Sequence, residues 1–297
     1  MSKEIAIFGI HIDKDEEKVV EELLQSADEL NYQVCFEFKF AQKLQEQTGL
    51  EISAFKTFKS YKEIDKDLAL FISIGGDGTM LRASNYIRDK GIPLVGINTG
   101  RLGFLSTYKK EHAASLLNEF SQGNYELDFR QLIRLENHTE LLGPNWENDA
   151  LNEITVSRKD TASMITIEVW LNDHFLTSYW ADGLILATPT GSTGYSLSCG
   201  GPVISPGAKS FVLTPIAPHN LNARPLVIED DTVIKLKVSG RESQHLITVD
   251  SKITTMANEE EIVVKKTPYK LKMLNFKGEH FLHSLRQKML WGEDKRN

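Results

Sequence analysis

The sequence predicts an α/β domain built on an open parallel sheet, followed by a second domain rich in β structure. Apolar strands alternate with amphipathic helices as far as about residue 125, and short alternating segments take over beyond it. A length of 297 residues is enough for two cores. We therefore expect an α/β domain over 1–125, a β-rich domain over 126–277, and a C-terminal helix in 278–297 that packs back on the first domain.

Glu4 to Ile10 reads as the first strand, and Asp15 to Leu30 as a helix with Val19, Val20, Leu23, Leu24, Ala27 and Leu30 on one face. Gln33 to Phe40 reads as the second strand, and the polar stretch Ala41 to Gly49 as a short helix. The apolar run Leu68 to Ile74 is the third strand, of the kind buried on both faces in a parallel sheet. Pro93 to Ile97 is the fourth, ending in Asn98-Thr-Gly-Arg-Leu-Gly-Phe-Leu105, and a helix follows near Glu111 to Gln122. Such strand–helix alternation calls for right-handed crossovers, and ligands in these sheets sit at the carboxyl ends of the strands. Both glycine-rich loops lie at that edge, which places Asp77 and Arg101 on one rim.

The third strand runs into Gly75-Gly-Asp-Gly-Thr79, a loop suited to phosphate. Gly75, Gly76 and Gly78 carry no Cβ, so backbone N–H groups can approach a polyphosphate closely. Thr79 is placed to cap a helix through Met80 to Arg88, whose N-terminal dipole also favours an anion. Asp77 is out of keeping with anion binding alone, because a carboxylate beside a phosphate is repelled unless a metal or a proton transfer justifies it. It is the catalytic candidate. The chain has no Gly-Lys dipeptide, hence no Walker A sequence, and no Gly-x-Gly-x-x-Gly fingerprint of dinucleotide-binding folds. Arg82, one turn into the helix, either adds positive charge or is an exposed helix arginine.

From Asn124 onward β-branched and aromatic residues alternate with polar ones, as in Ile165 to Leu171 and Asp231 to Val238. The strand Leu184 to Ala187 enters a loop crowded with hydroxyls and glycines: Thr188, Thr190, Ser192, Thr193, Gly194, Tyr195, Ser196 and Ser198. Neutral donors and acceptors with close backbone approach suit sugar hydroxyls and a base better than a naked phosphate. Tyr195 is placed to stack on a base. Asn152-Glu153, at the start of the strand Ile154 to Ser157, is an amide and a carboxylate that could clamp a ribose diol or simply form a solvated turn. Helical spacing returns over Glu279 to Trp291, with Phe281, Leu282, Leu285 and Met289 apolar.

Composition narrows the partners. A chain 41% hydrophobic and 25% charged is that of an ordinary globular protein. Its net charge of −7 argues against nucleic acid or a membrane surface, so any phosphate site must be locally positive. Cys35 and Cys199, far apart and without a CxxC spacing, fit a reducing compartment. No signal peptide and no apolar run of transmembrane length are evident, which makes the cytoplasm the expected location. The histidines show no ligand spacing, so no protein-bound structural metal is expected.

Gly75-Gly-Asp-Gly-Thr79, Asn98-Thr-Gly-Arg-Leu-Gly-Phe104, Asn152-Glu153, and Asp182-Gly-Leu followed by Thr188-Pro-Thr-Gly-Ser-Thr-Gly-Tyr195 and Gly200-Gly-Pro202 together resemble the NAD kinase family in order and spacing, over roughly residues 70–228. Ala217 to Leu226 also resembles a family segment. The glycine-Asp loop alone is shared with 6-phosphofructokinases and with diacylglycerol and sphingosine kinases; the second glycine centre separates NAD kinases from these. Gly194 and Cys199 stand where the family commonly has Ala, two changes small in volume.

The resemblance implies the two-domain architecture shared with diacylglycerol kinases and transfer of the γ-phosphoryl of ATP, or of another donor, to the 2′-hydroxyl of the adenosine ribose of NAD, giving NADP. It implies that Asp77 accepts the hydroxyl proton, that the amides of Gly76, Gly78 and Thr79 cradle phosphate, and that a divalent cation, Mg²⁺, arrives through the donor's phosphates. It further implies that Asn152 and Glu153 hold ribose and adenine, that Asp182 meets the nicotinamide side, and that Thr193 to Ser198 line a cleft between the domains. Phe104 then packs on adenine or in the core, and Arg101 reaches phosphate or fastens its loop. His219 and Arg224 read as structural. A homodimer or tetramer suits the resemblance. Two other readings stand beside it: a lipid or sphingoid kinase, which would need a greasy patch that no stretch supplies, and a non-catalytic NAD(P) sensor, which the presence of Asp77 disfavours.

Overall fold

The strand that leads into the glycine-Asp loop, Leu70–Ile74, has all five residues buried, and its neighbours explain why. The computed structural model describes residues 3–101, 103–138, 148–160, 163–276 and 281–290. Leu102, and Glu279, His280 and Trp291 of the expected last helix, lie outside the described residues. By contacts the chain divides into a first unit, Met1–Phe129 with Leu271–Asn297, and a second, Arg130–Lys270.

The first unit begins β1 (Glu4–Gly9), α1 (Lys14–Glu29), β2 (Gln33–Glu37), α2 (Phe38–Thr48) and β3 (Lys56–Phe58). It continues β4 (Leu70–Ile74), α3 (Asp77–Ile87), β5 (Pro93–Asn98), β6 (Tyr108–Lys109) and α4 (Ala113–Ser121), and β7 (Tyr125–Leu135) carries the chain into the second unit. The parallel order is β5-β4-β1-β2-β3, so β4 lies between Ile5 to Gly9 on one side and Leu94 to Ile97 on the other. Helices shield this sheet through Val19, Val20 and Leu23 of α1, Phe40 and Leu44 of α2, and Leu116 and Leu117 of α4. Each such fully buried side chain contributes about 1.5–3 kcal/mol.

Beyond shifts of one or two residues at the ends of β1, α1 and β4, four features differ from the sequence expectation. The second strand ends at Glu37, not Phe40, because the Glu37 carboxylate accepts the Phe40 N–H at 2.8 Å and caps α2, which then runs three residues earlier than expected. β3 has three residues with Lys56 and Thr57 exposed, too short and too polar for any pattern to announce. Thr79 does not cap α3: the helix begins at Asp77 with Gly76 as its N-cap, and the Thr79 and Met80 amides both donate to the Gly76 carbonyl, which draws Thr79 into the buried first turn. The helix expected from Glu111 starts at Ala113, after a single tight turn over Lys110–His112.

The second unit is antiparallel. It comprises β8 (Asp149–Ala150), β9 (Glu153–Arg158), β10 (Ile165–Leu171), β11 (His174–Ala181), β12 (Gly183–Ala187) and the one-turn α5 (Tyr195–Ser198). Then come β13 (Ser210–Ile216), β14 (Leu226–Glu229), β15 (Ile234–Ser239), β16 (Gln244–Val249), β17 (Lys252–Ala257) and β18 (Glu261–Phe276). One sheet runs β14-β13-β12-β9-β16-β17; against its inner face lie β11, β10, β15 and the first half of β18, and Ile154, Val156, Leu184, Leu186, Ile167 and Leu236 meet in one core. β18 ends in the first unit, where Lys272 and Met273 pair in parallel with Pro93 and Leu94 of β5, and α6 (Phe281–Met289) follows there. Among the described residues no helix is long and apolar enough to cross a membrane.

Candidate active site

In the first unit the candidate residues are organised by the Asp77 carboxylate. Placed at the N-terminus of α3 by the turn after β4, it accepts three backbone N–H groups from the loop after β5: Phe104 to Oδ2 at 2.8 Å, and Leu105 and Ser106 to Oδ1 at 3.0 Å each. A carboxylate offers about four lone-pair positions, so one remains, on Oδ2. Two more bonds tie the loops together, from Ser106 Oγ to the Gly75 carbonyl at 2.8 Å and from the Gly75 N–H to the Ile97 carbonyl at 2.9 Å. Asn98 staples its own turn by donating to the carbonyls of Arg101 and Ser106 and accepting the Gly100 N–H. Arg101 enters these contacts through its carbonyl.

Three glycines have distinct reasons to be glycine. Gly75 sits at φ +139°, where a side chain would be strained and a Cβ would also lie 2.4 Å from Thr79 Oγ1. At Gly103 a Cβ would fall 1.7 Å from Asp77 Oδ1, so only a bare backbone lets the loop reach the carboxylate. Gly78 is exposed, and a Cβ on it or on Gly76 would meet nothing within 4 Å. No described residue fills that space, which leaves the backbone at Gly76 and Gly78 open to a ligand. Arg82 is exposed on α3, and Phe104 packs its ring against Phe281 of α6 at 6.2 Å.

In the second unit the counterpart of Asp77 is Asp250, a residue that the sequence reading did not single out. Half-buried in the turn between β16 and β17, it accepts the N–H groups of Leu151 (2.8 Å), Asn152 (2.9 Å) and Glu153 (3.1 Å). Burial pushes the Asp250 carboxyl up to about 6 against the pull of those amides. The turn is also held by the loop after β12: Thr188 donates its N–H to the Asn152 carbonyl and its hydroxyl to the Leu151 carbonyl, and a Cβ on Gly191 would lie 2.1 Å from the Asn152 oxygen. Glu153 Oε2 is shut off from water and has no hydrogen-bond partner among the described residues. Burial first, and then the neighbouring Asp250 charge, raise the Glu153 carboxyl to about 8, so at neutral pH it is an acid with a proton to donate. Gly194 leaves room beside it, since a Cβ there would stand 3.2 Å from Oε2.

The hydroxyl-rich loop divides by role. Ser196 is fully buried with Oγ bonded to Thr214 Oγ1 at 2.8 Å, and Thr190 is buried with its hydroxyl facing Arg130. Both hydroxyls thus already have a partner within the second unit. Thr193 donates to the Thr190 carbonyl, Ser198 is exposed, and Tyr195 is 47% exposed, leaving a ring face available for stacking. Asp182, paired with Arg158 at 3.0 Å, lies away from Glu153. The β9–β12 register sets Gly183 opposite Ser157 and Ala187 opposite Glu153, which separates the two acids by about five residues of strand, roughly 17 Å. His219 packs on Trp180 with the rings tilted by 48° and their centres 4.4 Å apart, and Arg224 donates to the carbonyls of Leu221 and Ala223 in its own loop.

Sequence models of the ATP-NAD kinase N-terminal and C-terminal domains match residues 5–125 and 151–276 respectively. The chain is 51% identical to the NAD kinase of Christiangramia forsetii over 293 residues, 99% of each chain. It is 50% identical to that of Flavobacterium psychrophilum over 293 residues, again 99% of each. Among solved structures, yeast NADH kinase complexed with NADH matches with a TM-score of 0.83 at 23% identity, over 99% of this chain and 89% of that one. An NAD kinase from Archaeoglobus fulgidus in complex with ATP matches at 0.74 and 24% identity, over 97% and 98%. At those identities the structures speak for the fold, and the sequence relatives carry the assignment. With the two domain matches and half its residues shared along its full length, the chain belongs to the NAD kinase family.

Proposed function

We propose that Asp77 Oδ2 takes the proton from the 2′-hydroxyl of the adenosine ribose of NAD as that oxygen bonds to the γ-phosphorus of ATP and the bridging bond to the leaving ADP breaks. Family membership makes the chain a phosphotransferase, an NAD kinase that yields NADP. The observation that supports Asp77 in this role is its one unoccupied lone pair, held in place by three amides beside glycines with nothing over them. A positioned base contributes about 10²–10⁴ in rate. Phosphoryl transfer otherwise depends on positioning and charge stabilisation, which the amides of Gly76 and Gly78 would supply; the Thr79 N–H, expected from the sequence to join them, already donates to the Gly76 carbonyl at 2.9 Å.

Asn152 and Glu153 are proposed to hold the adenosine part of NAD, with Glu153 donating from its neutral form and Tyr195 offering a stacking face. A divalent cation would be carried by the nucleotide phosphates. No group of three or more acidic, histidine or cysteine side chains suited to a metal occurs among the described residues, and Asp77 has room for a single further contact. When bound, the cation neutralises charge on the donor. Cys35 and Cys199 are free thiols, in keeping with a cytoplasmic setting. Phe175, Leu176 and Trp180 lie exposed along β11 at the end of a sheet, in keeping with a homo-oligomer. The test is incubation with NAD, ATP and Mg²⁺ followed by a cycling assay specific for NADP. Time-dependent NADP that disappears in Asp77→Asn supports the reading; NADP formation undiminished in that variant removes Asp77 as the base.

A further inference from the structure

The last helix places a cation beside the one unoccupied lone pair of Asp77. Lys288 Nζ lies 3.9 Å from Asp77 Oδ2 and 4.4 Å above the centre of the Phe104 ring. Phe281, seven residues earlier and so on the same face of α6, packs on that same ring at 6.2 Å. The Phe104 N–H in turn donates to Asp77 Oδ2 at 2.8 Å. Ammonium, aromatic ring, amide and carboxylate thus form one cluster within the first unit, assembled by a helix about two hundred residues along the chain from the loop that it touches.

We propose that Lys288 contacts the phosphoryl group during transfer, neutralising charge that Asp77 would otherwise repel. This rests on the NAD kinase reading of the site. The 3.9 Å separation is longer than a hydrogen bond, so the ammonium keeps donors available while it stays in place. The two side chains are 31% and 32% exposed, reachable by a ligand yet partly withdrawn from water, where a fixed charge acts most strongly. A phosphoryl oxygen entering next to Oδ2 would meet Nζ first. With the ring below it and Phe281 anchoring the helix, Lys288 needs little rearrangement to make that contact. Were its role only to tether α6, its side chain would be expected to close on Oδ2 at hydrogen-bond distance.

The test compares Lys288→Gln and Lys288→Arg with the wild-type chain in steady-state kinetics, thermal melting and calorimetric titration with inorganic tripolyphosphate. For Lys288→Gln we expect kcat to fall about 10- to 100-fold with the KM for NAD within about two-fold, and tripolyphosphate to bind about ten-fold more weakly. Lys288→Arg, which keeps the charge, should recover most of both. An unchanged kcat in Lys288→Gln overturns the proposal. So does a loss that Arg fails to recover while both variants melt several degrees lower, because that pattern describes a tether. Absence of NADP formation by the wild-type chain would count against the kinase reading itself; wild-type activity with an indifferent Lys288→Gln counts against Lys288 alone.

Discussion

Asp77→Asn is the natural first variant, and the structure changes what it should do. From the sequence the substitution is isosteric and removes only a base, so turnover should nearly vanish while NAD affinity stays within a few-fold. The carboxylate, however, also holds the loop at residues 104–106 through three amides. Asparagine has one acceptor oxygen. Set at the Oδ1 position it keeps the Leu105 and Ser106 N–H groups at neutral strength, but it turns its NH₂ toward the Phe104 N–H, donor against donor. Losing one charge-assisted bond is worth about 1.5–3 kcal/mol and weakening two adds to that. Water at a side chain that is 32% exposed recovers part of this, leaving about 2–4 kcal/mol. At about 2–4 °C per kcal/mol the melting temperature should fall by roughly 5–15 °C. Turnover should fall by about 10²–10⁴ well below that melting point. Scanning calorimetry and the NADP assay on one preparation read both effects. A variant that melts with the wild type refutes the anchoring role, and one that turns over normally refutes the base.

Gly103→Ala should abolish activity and lower the melting temperature, because its Cβ would lie 1.7 Å from Asp77 Oδ1 and the loop must leave the carboxylate; normal turnover would show that this loop adapts freely. Glu153 has its carboxyl raised from 4.5 to about 8, so the stability gained by burying it neutral is complete below about pH 4.5 and is lost as pH rises to about 8. Glu153→Gln should therefore melt progressively higher than wild type between pH 6 and 9, by up to a few kcal/mol at about 1.4 kcal/mol per pKa unit, and should flatten a rise in the KM for NAD above pH 8; parallel pH profiles for the two chains would refute the neutral-acid role. Asp250→Ala leaves three amides without their acceptor, so the KM for NAD should rise at least ten-fold with a lower melting temperature, and an unchanged KM would separate this turn from the binding site. His245 is wholly buried and burial holds its imidazole below the usual 6.5, so the stability it contributes is present above about pH 6.5 and lost as pH falls; His245→Gln should lessen the decline in melting temperature between pH 7 and 5, and an identical decline would refute it.

Local pattern carried much of the fold because its rules act over a few residues. Of the run expected from Leu68 to Ile74, Leu70 to Ile74 form the strand and are buried on both faces, as a central parallel strand should be, and the alternation in Ile165–Leu171 alternates in burial as far as Trp170. Boundaries were less legible where a side chain made an unforeseen cap: Glu37 reaching the Phe40 amide turned three strand residues into helix, and Gly76, not Thr79, starts α3.

By itself the sequence determined the two-domain plan, the strand–glycine-Asp loop–helix unit and the family, because glycine spacing and hydrophobic period are properties of neighbouring residues. Only the tertiary structure decided what those motifs hold on to. Asp77 is defined by amides 27 to 29 residues away, the Asn152–Glu153 turn by Asp250 about a hundred residues on, and the reach of Lys288 by a helix near the end of the chain. Ser196 and Thr190 read as ligand groups in one dimension and are buried in three. A hydroxyl or carboxylate looks the same in a sequence whether it faces solvent or a backbone amide. Which it faces is set by packing between distant segments, and that packing also sets the proton on Glu153.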